Sequence, residues 1–223
     1  VYAQIELDLQ NAIASLPNSQ SQVGRVNKYT AYALLGKVLL YQDKFAEAAS
    51  ALDNVIGVYS LVSDYGSQFL RFGENGPESV FEIQYSNQSN WYDWGCAHCS
   101  EGNYAIIMNG PRGWSGPEYA QGWSFNVPTE EFYNSFEEGD SRRDATVLDI
   151  EAFAAATGAS YTEGYDHTGY FNNKYIPRAG ESGGQTELNY LTNFRIIRYS
   201  DVLLMAAEAY NCLLYTSPSP RDL

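Results

Sequence analysis

The sequence predicts a mainly α fold: a scaffold of paired helices that carries long irregular loops and a few short strands. Three observations predict it. Between Asn27 and Tyr59 apolar residues recur twice at helical spacing, on either side of a short polar break at Gln42, Asp43 and Lys44. A similar spacing returns late in the chain at Leu203, Ala206, Ala207 and Tyr210. Between these helical stretches, residues 86–126 are rich in Gly, Asn, Ser and Pro and hold all four tryptophans, Trp91, Trp94, Trp114 and Trp123. At 223 residues and 44% hydrophobic, the chain can bury a sizeable core.

Taken in order, the chain opens on a helix. Ile5, Leu9, Ala12, Ile13 and Leu16 share a face, and Pro17 stops it. Residues 18–26 form a polar linker. In the hairpin that follows, Ala31, Leu34, Leu35, Val38 and Leu39 line the first helix, and Phe45, Ala48, Ala49, Leu52, Ile56 and Tyr59 line the second. So short a break makes the two helices antiparallel. Tyr32, Leu35, Gly36, Leu39, Ala48 and Leu52 fall at the spacing of a tetratricopeptide (TPR) unit, with Gly36 and Ala48 small where the helices must approach. Residues 28–59 are therefore read as a TPR hairpin. One hairpin cannot bury its own apolar face, so stacked neighbours are expected.

Residues 60–76 read as a loop with a short helix near 68–72. Residues 78–85 (ESVFEIQY) alternate and read as a strand. The 86–126 stretch reads as a long loop without regular elements, a form that is often functional. Thr129 caps a helix with Glu130 and Glu131 in its first turn, Phe132, Tyr133 and Phe136 on its apolar side, and Gly139 at its end. Asp140 to Asp144 reads as local surface ion pairs. Residues 151–165 show no strong period, 169–178 are extended, and 180–185 form a loop. Residues 194–211 read as a helix that begins a further TPR unit, with its partner expected after Asn211. The remaining residues, Cys212–Leu223, contain CLLYTSPSPRD, which resembles the translation of a transposase adapter used in sequencing libraries. They are set aside as an artefactual tail, leaving 1–211 as one partial domain.

A formal net charge of −14 argues against nucleic acid and against binding an anionic membrane through basic residues. No apolar run reaches the length of a membrane span. The chain begins at Val1 inside a helical pattern, which reads as a chain cut at its N-terminus. Cys96 and Cys99 form one C-x-x-C with no second pair outside the tail, which leaves a local disulfide or free thiols ahead of a metal site. The acids at Glu130, Glu131, Glu137, Glu138 and Asp140 suit a helix start better than a glycosidase pair, since neighbours on a helix do not face each other. His98 and His167 have no triad partner at recognisable spacing. No catalytic residue, metal or cofactor is expected.

The TPR hairpin, the ESVFEIQY strand, the block from Gly122 to Arg143, GYFNNKYIPR, and NFRIIRYSDVLLMAAEAYN occur in one order. That order resembles the SusD/RagB family of outer-membrane nutrient-binding lipoproteins of Bacteroidota. The block 122–143 and the run Arg198 to Met205 carry the resemblance most specifically. It implies a SusD-like TPR scaffold with the ligand site on its loops, and a surface-exposed protein anchored in the outer membrane by a lipid that this fragment lacks. It further implies glycan or nutrient capture, with delivery to a SusC-like TonB-dependent transporter against which the TPR helices lie.

Sugar rings carry apolar C–H faces that pack on flat aromatic side chains, while their hydroxyls need donors and acceptors. The expected ligand residues are accordingly Trp91, Tyr92 and Trp94, then Trp114 and Tyr119. Asn90 is expected to contribute polar contacts, beside Asn87, Gln88, Asp93, Asn103 and Asn109. Trp123 is assigned to packing. The alternative reading is a TPR interaction module that binds a peptide or partner protein.

Overall fold

The computed structural model describes residues 1–88, 94–183 and 188–215. Its helices are α1 (Tyr2–Ser15), α2 (Lys28–Leu40), α3 (Phe45–Asp53), α4 (Ala105–Met108), α5 (Glu130–Asn134), α6 (Arg142–Thr146), α7 (Ile150–Thr157) and α8 (Tyr199–Tyr215). The strands are β1 (Ser79–Ile83), β2 (Arg112–Ser115), β3 (Val147–Asp149), β4 (Ser160–Thr162), β5 (Tyr170–Asn172) and β6 (Phe194–Arg198). Short 3-10 turns occupy Gly66–Phe69, Arg71–Gly73 and Trp94–Cys99. The chain forms two compact units.

The first unit holds α1, α2, α3 and α8 with the β1–β6 sheet. Asn27 caps α2 by accepting from Thr30 N at 2.9 Å. The helix then folds back through α3, and Gly36 lets the two axes close: a Cβ there would lie 2.6 Å from Leu52 Cδ2. Leu52, Val55, Ala33 and Ala48 are fully buried. A leucine sealed this way contributes about 1.5–3 kcal/mol. Residue 34 departs from the expected face. Leu34 is exposed while Ala33 and Leu40 are buried, because α2 is packed by α1, α3 and α8 and buries more than one stripe.

The second hairpin helix stops at Asp53, short of the expected Tyr59. Gly57 adopts a left-handed φ of 82°, and the turn buries Val55 in place of Ile56. Gly57 N donates to the Tyr199 hydroxyl at 2.9 Å. Residues 194–198 form a strand and not the start of the helix: Arg195 and Ile197 are buried alternately, and β6 pairs with β1. α8 then presents Val202, Ala206 and Ala209 to the core; of the expected Leu203, Ala206, Ala207 and Tyr210, Ala206 is buried and Leu203 packs partly buried against the core, while Ala207 and Tyr210 are exposed. Its backbone continues past Asn211 to Tyr215 without a turn into a partner helix. Leu204 and Leu214 are exposed along it.

The second unit spans residues 63–74 and 84–194 in its described parts. β2 and β4 pair antiparallel, with Arg112 opposite Thr162 and Ser115 opposite Ser160. β3 and β5 pair antiparallel, with Leu148 opposite Phe171. One core gathers Tyr119, Leu148, Ile150, Phe171 and Ile176, and a smaller one gathers Ile106, Ile107 and Tyr190. The 86–126 stretch is thus not free of regular elements. Its strand is created by a distant partner, β4, and α4 begins where Asn103 Oδ1 accepts from Ala105 N at 3.2 Å. Residues 151–165, expected to lack a period, contain α7 and β4. Asp149 caps α7 by accepting from Ala152 N at 2.9 Å, and left-handed Gly158 ends it. Thr129 caps α5 as expected, with Phe132 N donating to Thr129 Oγ1 at 3.2 Å, but the helix ends at Asn134, before Gly139.

Candidate functional site

The tryptophan-bearing loop is held at its neck by one side chain. Asn189 is fully buried. Its Nδ2 donates to Asn87 O at 2.8 Å, and its Oδ1 accepts from Ser100 Oγ at 3.2 Å. One amide thus grips the chain where it enters the loop and where it leaves. Ser86 N closes the neck by donating to Glu101 O at 2.9 Å. Gly102 permits the close fit, since a Cβ there would meet Asn189 C at 2.6 Å. Asn103, also buried, donates through Nδ2 to Thr192 O at 2.9 Å. Within the loop Cys96 and Cys99 are joined as a disulfide, so neither sulfur is a thiolate ligand for a metal.

Of the residues expected to contact ligand, Asn90, Trp91 and Tyr92 lie outside the described residues, as does Asp93. Trp94 begins the 3-10 turn that carries the disulfide. Trp114 and Tyr119 are brought together, their ring centroids 5.9 Å apart, and Phe153 lies 5.9 Å from the first and 5.1 Å from the second. Tyr119 is 6% exposed, its hydroxyl donates to Asn173 Oδ1 at 3.2 Å, and the Arg178 guanidinium sits 5.3 Å from its ring centroid. Burial pushes the Tyr119 phenol up, against the opposing pull of Arg178. Trp114 is half-buried, with its Nε1 hydrogen inside and without an acceptor among the described residues.

Two of the expected polar contacts are internal. Asn103 holds the neck, and Asn109 donates to Ala105 O at 3.2 Å and Tyr175 O at 2.8 Å while accepting from Asn126 Nδ2 at 3.3 Å. Both amides are consumed by backbone and neighbouring side chains, because each lies beside an end of α4 where backbone groups lack helical partners.

The block that begins at Gly122 is fastened to the end of α4. Gly122, Trp123, Ser124 and Phe125 each donate a backbone hydrogen bond, to Pro111, Ile107, Gly110 and Met108, at 2.8–2.9 Å. A Cβ at Gly122 would lie 2.7 Å from Gly110 O. Trp123 packs on Ile106, Ile107 and Tyr190. Phe125 is 51% exposed, and Tyr165, on a neighbouring turn, is 92% exposed. Neither was picked out from the sequence. The usable signal was an aromatic residue set among turn-forming residues, as in Ser124–Asn126 and Gly164–Asp166.

The acids read as a helix start and surface pairs are placed that way. Glu130 and Glu131 head α5, and Asp140 accepts from Arg142 Nε at 2.9 Å. That side-chain hydrogen bond, followed by the one from Arg142 N, holds the Asp140 carboxyl down at about 2. In the first unit an open groove of about 560 Å³ runs along α1, α2 and α3, with Tyr32, Leu35 and Leu39 in its lining and the Glu6–Lys44 pair, 2.6 Å apart, at its rim. Among the described residues no group of three His, Cys, Asp or Glu side chains is arranged to hold a metal ion, and no helix is long and apolar enough to cross a membrane.

The SusD family model matches residues 77–216, which include the neck, the loop and the block fastened to α4. The chain belongs to the SusD family. The SusD-like protein P2 of Formosa agariphila is 31% identical over 95% of this chain and 43% of its own length. A laminarin binding SusD-like protein of known structure is 40% identical, with a TM-score of 0.86 over 98% of this chain and 50% of that one. The surface glycan-binding protein A of Bacteroides thetaiotaomicron, solved in complex with laminarihexaose, is 31% identical with a TM-score of 0.86 over 94% of this chain and 49% of that one. This SusD-family chain therefore spans about half the length of the relatives it matches. Their fold agrees with the helical scaffold and loop-borne region described above.

Proposed function

We propose that this chain is the glycan-capturing part of a SusC/SusD-type uptake system, taking a laminarin-type saccharide at the cell surface and delivering it to a TonB-dependent transporter. The observation that carries the reading is the 40% identity, across nearly the whole chain, to a protein that binds laminarin. In this reading the protein is held on the outer membrane by a lipid anchor outside this sequence. Trp91, Tyr92 and Trp94 stack on sugar rings, and Asn90 bonds hydroxyls. Trp114 extends the surface from the partly open edge of its cluster, and Tyr119 supports it from beneath. The protein binds and does not cleave, and it uses no cofactor. Its acidity favours a neutral glycan over an anionic one.

Native affinity electrophoresis in gels containing laminarin tests this. Retardation is expected, and Trp91→Ala with Trp94→Ala should abolish it. Absence of retardation across a polysaccharide panel overturns the reading, and release of reducing ends from laminarin overturns the non-catalytic part. The α1–α3 groove favours a second reading, a TPR module that seats a peptide. Peptide capture without glycan binding would select it.

A further inference from the structure

The glycan reading leaves unexplained why Phe125 and Tyr165 stand in solvent. A single exposed aromatic needs no explanation. These two leave turns that touch: a Cβ at Gly164 would come within 2.8 Å of Ser124 Cβ, and only glycine permits that approach. Both turns are fixed in uncommon backbone conformations. Ser124, Asn126 and Asp166 have φ of 58°, 52° and 52°, left-handed values that non-glycine residues adopt where surrounding contacts over-determine them. The contacts are visible. Ser124 is buried, its N donates to Gly110 O at 2.9 Å, and its Oγ accepts from Arg112 N at 3.2 Å. Phe125 N is tied to Met108 O at 2.9 Å. Phe125 is thus carried on a fastened backbone, and the turn that carries Tyr165 abuts it at Gly164.

Arg112 completes the patch. Its Nε donates to Trp123 O at 2.7 Å, which leaves the planar guanidinium 5.7 Å from the Phe125 ring centroid. Trp123 meets the same ring edge-on, 6.2 Å between centroids. Arg112 lies over the ring and Trp123 packs against it in a T-shaped contact, while half of its surface remains open to solvent. The Arg112 guanidinium at Phe125 supplies donors, and Glu163 and Asp166, exposed near Tyr165 in sequence, supply acceptors.

We infer that Phe125 and Tyr165 form a second stacking surface for a neutral saccharide chain, flanked by Arg112 and separate in sequence from the stretch between Gln88 and Ser100. Two exposed aromatic rings with hydrogen-bonding groups nearby match a sugar ring, which is apolar on its C–H face and polar at its rim. The inference rests on the glycan reading for its ligand class.

The test is calorimetric titration of laminarin into the wild-type chain, Phe125→Ala/Tyr165→Ala, and Phe125→Tyr/Tyr165→Phe. The double alanine variant should bind about tenfold more weakly. The variant that keeps both rings should bind like wild type, which separates lost stacking from a disturbed fold. Circular dichroism should superimpose for all three proteins. Wild-type binding with an unchanged affinity in the double alanine variant overturns this inference and leaves the glycan reading standing. Equal weakening in both variants also overturns it, because the rings are then not the cause. No wild-type binding to laminarin or any other glycan overturns the broader reading and this one with it.

Discussion

Glu82 and Arg195 face each other in the β1–β6 sheet with Oε1 and Nε 3.6 Å apart, both side chains almost wholly removed from water. Glu82 Oε1 also accepts from Asn75 N at 3.2 Å. The buried face of β1 is therefore Val80 and Glu82, while Phe81 and Ile83 lie closer to solvent. Breaking such a pair from one side strands the opposite charge. Glu82→Ala should lower stability by about 3–5 kcal/mol, whereas Glu82→Leu with Arg195→Met should recover most of the loss. Urea denaturation of the three proteins checks this.

Gly36 should tolerate no side chain at its native spacing. Gly36→Ala places a methyl against fully buried Leu52, and overpacking of this kind costs about 1–3 kcal/mol. A double-mutant cycle with Leu52→Ala should return a clear coupling energy, because the two positions touch. Additive effects would place the strain elsewhere.

Asn189→Ala should loosen the neck of the loop. It removes hydrogen bonds to Asn87 O and Ser100 Oγ from a fully buried position, at about 1–3 kcal/mol for each group left unsatisfied. Amide hydrogen exchange in 86–103 should accelerate more than exchange in α2 and α3.

Asp140 gives the pH prediction. Its folded pKa, about 2, lies below the ordinary carboxylate value, so its pairing with Arg142 stabilises the fold above the ordinary range and is lost as pH falls from about 4 toward 2. The Asp140 side chain is only 14% exposed, but Arg142 is largely exposed and solvent screens the pair, so the effect on stability is small. An NMR titration of the Asp140 carboxyl should give the low value, and Arg142→Ala should return it toward 3.8.

The paired helices were legible because a period of 3.6 residues is a local property, and Gly36 and Ala48 marked the close approach. What failed was decided by distant partners. Residues 194–198 look helical beside the helix that follows, yet β1 draws them into a sheet. β2 has no strand signal of its own and exists through β4. Leu34 was placed inside because a single apolar stripe was assumed, whereas neighbours on several sides of α2 shift burial to Ala33 and Leu40. In the candidate site, aromatic composition could not separate a ring that packs, such as Tyr119, from one that is presented, such as Phe125. That distinction lies in the backbone hydrogen bonds that fasten Ser124 and Phe125 to α4.

The grip of Asn189 on both ends of the loop has an engineering consequence. With its two stems fixed at constant separation, an insertion or replacement between Gln88 and Ser100 adds only the slowly growing entropy of closing a longer ring of chain. The stretch is then a graftable cassette. Under the proposed glycan reading, exchanging it for that of a relative should re-aim specificity.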